Sequence, residues 1–163
     1  MPVQQYTINT RDEIAGVLYG MQQTRAYIDS AKVTAPLEYG VGVKRVNERE
    51  VAPGFITGVG DFKLFGISLR QNTTESDFRP NTGASKYAVG SIAPICRDGV
   101  VNVIAKEATN VGYRVYVETT TGEFYAVAGA GKELATNLVW DSAVAAGAVG
   151  RVVITTAMQD ANA

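Results

Sequence analysis

The chain has 163 residues, of which 46% are hydrophobic and only 19% charged, with a net charge of −1. That is enough for one domain with a real core, a thinner charged coat than the usual quarter, and no basic field to attract nucleic acid. There is no histidine and one cysteine, Cys96, which removes the commonest general base and zinc ligand, any internal disulfide and any cysteine-rich metal site.

Residues 1–35 read as an N-terminal arm. Thr10-Arg11-Asp12-Glu13 has capping-box spacing, and Ile14, Val17, Leu18 and Met21 follow at helical intervals. Gly16 and Gly20 weaken that pattern, so a short helix and an extended arm both stay open. No basic-then-apolar leader precedes it, which implies synthesis in a cytoplasm. Ile14, Val17, Leu18, Tyr19 and Met21 are apolar, need cover, and are candidate interface residues. Tyr27 to Val33 is β-rich and reads as a first strand closed by Pro36.

Residues 36–163 read as the body. Leu37, Tyr39, Val41 and Val43 alternate and predict one strand face. Residues 47–50 are polar and predict a turn. Residues 62–70 predict a strand with Phe65, Ile67 and Leu69 on one face. The polar stretch 71–86, with Pro80 and Gly83, predicts a surface loop. Arg97-Asp98-Gly99 between two apolar runs is a hairpin signal. Val111, Tyr113, Val115 and Val117 predict a further strand face. Thr119-Thr120-Thr121-Gly122 predicts a turn into a strand over residues 123–127. Leu138-Val139-Trp140 leads through a small-residue turn at Ala145-Ala146-Gly147 to Arg151-Val152-Val153-Ile154. Strands at 8–12-residue spacing with no helical pattern between them predict an all-β fold, a compact β-sandwich or small β-barrel of short antiparallel strands. No repeat of 20–50 residues is visible, and no apolar run is long enough for a membrane helix, so no membrane partner is expected.

Motifs that suggest chemistry have plainer readings. Gly131-Lys132 lacks the upstream glycine of a phosphate loop, where Ala126 stands, and Glu133 replaces the following Ser or Thr; a hairpin loop explains it. Gly58-Val59-Gly60 and Gly40-Val41-Gly42 lack the third glycine of a dinucleotide site. Glu48, Glu50 and Asp61 lack calcium-loop spacing and read as solvated turn charges. Ser91 and Ser142 have no histidine to activate them. Cys96, beside Ile95, reads as a buried, inert thiol. Trp140 reads as a core anchor. Phe55, Phe62 and Phe78 flank loops and are candidate contact residues. No catalytic, metal or cofactor-binding residue is assigned, and no enzyme activity or cofactor is expected.

The ordered motifs resemble the structural cement, or capsid decoration, proteins of tailed bacteriophages. Pro36-Leu37-Glu38-Tyr39-Gly40-Val41-Gly42-Val43 is similar to their early Pro-x-x-aromatic-Gly segment. Phe62-Lys63-Leu64-Phe65-Gly66-Ile67-Ser68-Leu69 and Tyr87-Ala88-Val89-Gly90-Ser91-Ile92 follow in the same order. Val115-Tyr116-Val117, Gly122-Glu123-Phe124, Trp140-Asp141-Ser142-Ala143 and Gly150-Arg151-Val152-Val153 complete it. The resemblance covers residues 35–155; the long polar loop at Asn81 and the Lys44-Arg45 charge depart from it. It implies a virion protein on the outer surface of the capsid. Its partners would be the major capsid protein and copies of itself, a trimer favoured over a dimer, and it would stabilise the expanded head against DNA pressure. A tail-tube subunit and a small all-β ligand-binding module are the alternatives.

Overall fold

The computed structural model describes residues 15–18, 26–55, 63–70 and 86–155. These form eleven strands and no helix: β1 (Tyr27–Val33), β2 (Leu37–Glu38), β3 (Gly42–Asn47), β4 (Glu50–Pro53), β5 (Gly66–Ser68), β6 (Lys86–Tyr87), β7 (Ile92–Ile104), β8 (Arg114–Glu118), β9 (Phe124–Tyr125), β10 (Lys132–Trp140) and β11 (Val149–Ile154). The expected all-β class is what forms. Of the stretch with a helical pattern, residues 15–18 make a turn and one bridge, Leu18 to Val101; the rest of it lies outside the described residues.

The first half closes into a barrel. The strands run β1-β4-β3-β5-β7, and β1 then pairs with β7 to shut the ring. The closing strand pairs in two ways: parallel to β4 at Lys32 and Val33, antiparallel to β7 from Tyr27 to Lys32. Alternation aims Ala31 and Val33 of β1, Val43 of β3, Val51 of β4, and Ala93 and Ile95 of β7 into one buried cluster with Leu37, Phe65 and Tyr87. Tyr39 meets Tyr87 edge-on at 5.1 Å, and the Tyr87 hydroxyl donates to Leu69 O at 2.6 Å.

The second half grows from the same β7. Its C-terminal part, Gly99 to Ile104, pairs with β11, and the sheet continues through β10 and β8 to β9. A parallel bridge from Phe124 to Ala105, with Lys106 N donating to Phe124 O at 3.0 Å, brings β9 back to the end of β7. Closing both sheets removes most of the edges that would invite uncontrolled pairing. The larger core lies inside this half, with Trp140, Phe124, Val101, Val103, Val117 and Ile154 at its centre. Ile67 of β5 and Cys96 of β7 belong to it too, so the barrel wall is apolar on both sides.

Several predicted elements are redrawn. Arg97-Asp98-Gly99 is not a hairpin: β7 runs through it for thirteen residues. The flanking runs pair with β1 and β5 on one side of Gly99 and with β11 on the other, and not with each other. Gly99 has φ +145°, which lets one strand change sheets there. Residues 37–43 are interrupted by a turn at Tyr39 and Gly40, although Leu37, Tyr39, Val41 and Val43 are all buried as expected. The strand predicted over 62–70 shrinks to β5. Its residues are buried on both faces, and Phe65 packs in the barrel cluster while Ile67 and Leu69 pack in the other. Only Val115 and Val117 of the next predicted face are buried, because β8 begins at Arg114. The strand over 123–127 is the two-residue β9. The loop at Gly131 links β9 to β10, which flank β8, so it is not a hairpin between them. The polar turn near residue 48 forms as predicted, and the loop 71–85 lies outside the described residues.

Candidate functional site

The residues singled out by sequence divide in three. Ile14, Tyr19, Met21, Phe62 and Phe78 lie outside the described residues. Val17 and Leu18 are half-buried against their own chain: Asn102 N donates to Val17 O at 2.9 Å, Gly16 N donates to Asn102 O at 2.7 Å, and Leu18 packs on the larger core. Phe55 is 4% exposed and packs in that core. Ser142 Oγ accepts from Arg151 N at 2.8 Å, and Ser91 Oγ donates to Ala88 O, so both serines hold turns. Glu50 sits beside Lys32 at 3.8 Å, and Asp61 lies outside the described residues. Lys132, of the phosphate-loop look-alike, places Nζ 2.9 Å from Glu107 and 3.7 Å from the Tyr125 ring centre. Among the described residues no three His, Cys, Asp or Glu side chains gather as metal ligands do.

The surface holds an apolar face that residue-by-residue reading missed. Register aligns Val139 of β10 with Val153 of β11, and Val153 with Val100 of β7. The buried neighbours Leu138, Val152 and Val101 face inward, so these three valines form a row on the outer side of the second sheet. On its other side the row ends at a cation, since register sets the exposed Arg114 of β8 opposite Val139. Tyr113 and the 63%-exposed Val111 lie just before Arg114, where Tyr113 O accepts from Trp140 N and Gly112 N donates to Trp140 O. The signal was available: the apolar run Val100-Val101-Asn102-Val103-Ile104 is broken only at Asn102, and Val152-Val153-Ile154 has no polar alternation at all. A strand apolar on both sides has an apolar outer face.

A second feature is a groove of about 750 Å³ between Asp29 to Lys32 of β1 and the tip of the β3–β4 hairpin. Its rim carries Lys32, Arg45 and Arg49 against Asp29, Glu48 and Glu50. Phe65 lines it, with the Arg45 guanidinium 5.5 Å and the Arg97 guanidinium 4.4 Å from its ring centre. Ile92, 57% exposed, stands at its side.

Two ionisable groups carry structural information. Burial raises the Glu107 carboxyl, but the Lys132 ammonium and the amides of Val127 and Ala126 lower it more, leaving it below the usual carboxylate range. Burial pushes the Cys96 thiol up to about 11, in keeping with an inert core cysteine.

Comparison with known proteins adds to this geometry. A family model described as "Structural cement protein (E217 gp24/Pam3 gp6)" matches residues 2–155. The fold is similar to a chain from the capsid of Myoviridae phage XM1, with a TM-score of 0.63 and 18% identity, covering 95% of this chain and 98% of that one. A chain of the head fiber gp8.5 N base of bacteriophage phi29 aligns with a TM-score of 0.46 and 8% identity, covering 83% of this chain and 99% of that one. No curated protein sequence matches the chain.

Proposed function

The chain belongs to the structural cement proteins of phages, and from that premise we propose that it binds the outer face of the expanded head and stabilises it against internal DNA pressure. The observation that carries this reading is the family match across residues 2–155. The physical argument is one of linkage. A protein that binds the assembled lattice and not the dissociated subunits stabilises the lattice in proportion to its occupancy. Many equivalent sites per shell let a small energy per site add up. A body closed into two curled sheets keeps its shape under load, and the row of Val139, Val153 and Val100 offers an apolar strip bordered by Arg114 and Arg151, an apolar centre with a polar rim.

The partner in this reading is the major capsid protein, and the chain also associates with itself, as a trimer in preference to a dimer, because trimers match local three-fold positions on a shell. The N-terminal arm, including Ile14, Tyr19 and Met21 but not the half-buried Val17 and Leu18, reaches a neighbouring chain, and Phe62 and Phe78 add contacts. The test is direct. The protein is added to expanded, undecorated shells and to unexpanded ones. The expanded shells should disrupt at a higher temperature, with weak binding to the unexpanded form, since only differential affinity shifts an equilibrium. Equal binding to both, or no change in shell stability at saturation, overturns the cement role. Sedimentation of the free protein reads the oligomer.

A further inference from the structure

The groove beside β1 is bordered by a strand edge with spare main-chain groups. Lys32 N donates across to Arg49 O at 2.9 Å, so the even-numbered residues of β1 aim their peptide groups at the β4 side. The parallel ladder ends at Lys32 and Glu50, because the chain turns at Glu48 and Arg49 into the hairpin. β1 continues past that point, and among the described residues no strand meets Tyr27 to Ala31 on this side. The Ser30 amide instead donates to the carboxylate of its own neighbour, Asp29, at 2.8 Å. A side chain standing in for a strand marks an edge open to one.

We propose that this edge accepts an extended segment from the first ten residues of a second copy of this chain, added as a strand in the groove. The proposal rests on the reading of the arm as a connector between neighbours. Three observations select the occupant. The rim has three cations and three anions, so it exerts little net pull on a charged strand, and residues 1–10 carry no charged side chain. Tyr6-Thr7-Ile8 alternates large apolar and small polar side chains of high β-propensity. Tyr6 stands nine residues before the docked residue 15, about 30 Å when extended, which lets the segment leave its own body for an adjacent copy.

The test mixes two full-length variants. One carries Ser30→Cys; the other carries Gln5→Cys, Thr7→Cys or Asn9→Cys in turn. Mixtures are oxidised in solution and again with expanded phage shells present, and read on a non-reducing gel. Cross-linked dimer should form for at least one arm position and not when Ser30→Cys is mixed with Ala146→Cys on a distant turn. A chain carrying both cysteines reports the alternative: a link within one chain shows that the arm folds onto its own body and overturns the proposal, as does the absence of any link in both conditions. Ser30→Pro, which removes the amide without touching the β7 ladder, should leave the melting curve close to wild type and reduce the cross-link between Ile28→Cys and the arm at least tenfold. If the links are absent while shells are still stabilised, the cement reading survives and only the assignment of the edge fails. If links form but shells are not stabilised, the edge assignment stands alone.

Discussion

The side-chain amide of Asn137 grips the main chain of Leu64 from both sides: Leu64 N donates to Asn137 Oδ1 at 2.8 Å, and Asn137 Nδ2 donates to Leu64 O at 3.0 Å. The two residues are 73 positions apart, and the same Nδ2 also donates to Thr155 O at 2.9 Å. A carboxamide thus replaces a missing strand between the lead into β5 and β10. Asn137 is buried, so its loss strands two main-chain groups of Leu64 away from water. Asn137→Leu should cost about 2–3 kcal/mol, which lowers the melting temperature by about 5–10 °C for a domain of this size. A melt within 1–2 °C of wild type, roughly the scatter of neutral surface changes, would count against this account.

Gly122 has the tightest backbone approach among the described glycines. It has φ +74°, and an added Cβ would lie 2.1 Å from Gly42 O. Gly42 N donates to Gly122 O at 2.8 Å, Gly54 N donates to Gly42 O, and Phe55 N donates to Thr119 O. These bonds join the barrel to the turn between β8 and β9. Gly122→Ala should therefore cost roughly 3 kcal/mol or more through strain and the shift of a main-chain oxygen. Gly112 has a similar φ of +83° but nothing within 4 Å of its added Cβ, so Gly112→Ala should cost only about 1 kcal/mol. Equal costs in urea unfolding would show that the contact with Gly42 does not matter.

Glu107 predicts an acid limb in the stability curve. Its folded pKa lies below the unfolded value, so the charged form is favoured by folding. That stabilisation is fully present above the unfolded carboxylate value of about 4.3 and is lost as pH falls through the lower folded value. Glu107→Gln should remove this part of the pH dependence and cost about 1 kcal/mol at pH 7, through weaker bonds to Lys132, Ala126 and Val127. Unfolding measured between pH 2.5 and 7 checks both.

Cys96 should be silent in the native state. It is fully buried, and its thiol is held up to about 11. An aromatic disulfide reagent at pH 8 should react at the rate of global unfolding, and at full speed only in denaturant. Rapid stoichiometric labelling of the folded protein overturns this.

The apolar row predicts a separation of stability from function. Val139 and Val111 are exposed, so Val139→Asp with Val111→Asp should change stability by about 1 kcal/mol or less. If the row meets the shell, the pair should weaken shell binding at least tenfold, because two carboxylates would be desolvated at the contact. Unchanged shell binding would place the interface elsewhere.

Much of this was legible in one dimension. The absence of histidine, the single cysteine, the low charge and the strand-and-turn rhythm are properties of composition and local pattern, and they pointed to an all-β binding or assembly protein before any contact was known. Burial of Trp140, Cys96, Leu37 and Val43 followed from hydrophobicity and alternation alone. What tertiary structure decided was pairing. Asp98-Gly99 has the local chemistry of a hairpin turn, but a turn forms only if its two arms are each other's best partners. Here β1 and β5 hold one arm and β11 holds the other, and those long-range ladders outweigh the local preference of two residues. The same holds for Phe65 and Ile67, which alternation put on one face and which pack in different cores. The outward face of Val139, Val153 and Val100 likewise exists only because the register of three distant strands brings them into line.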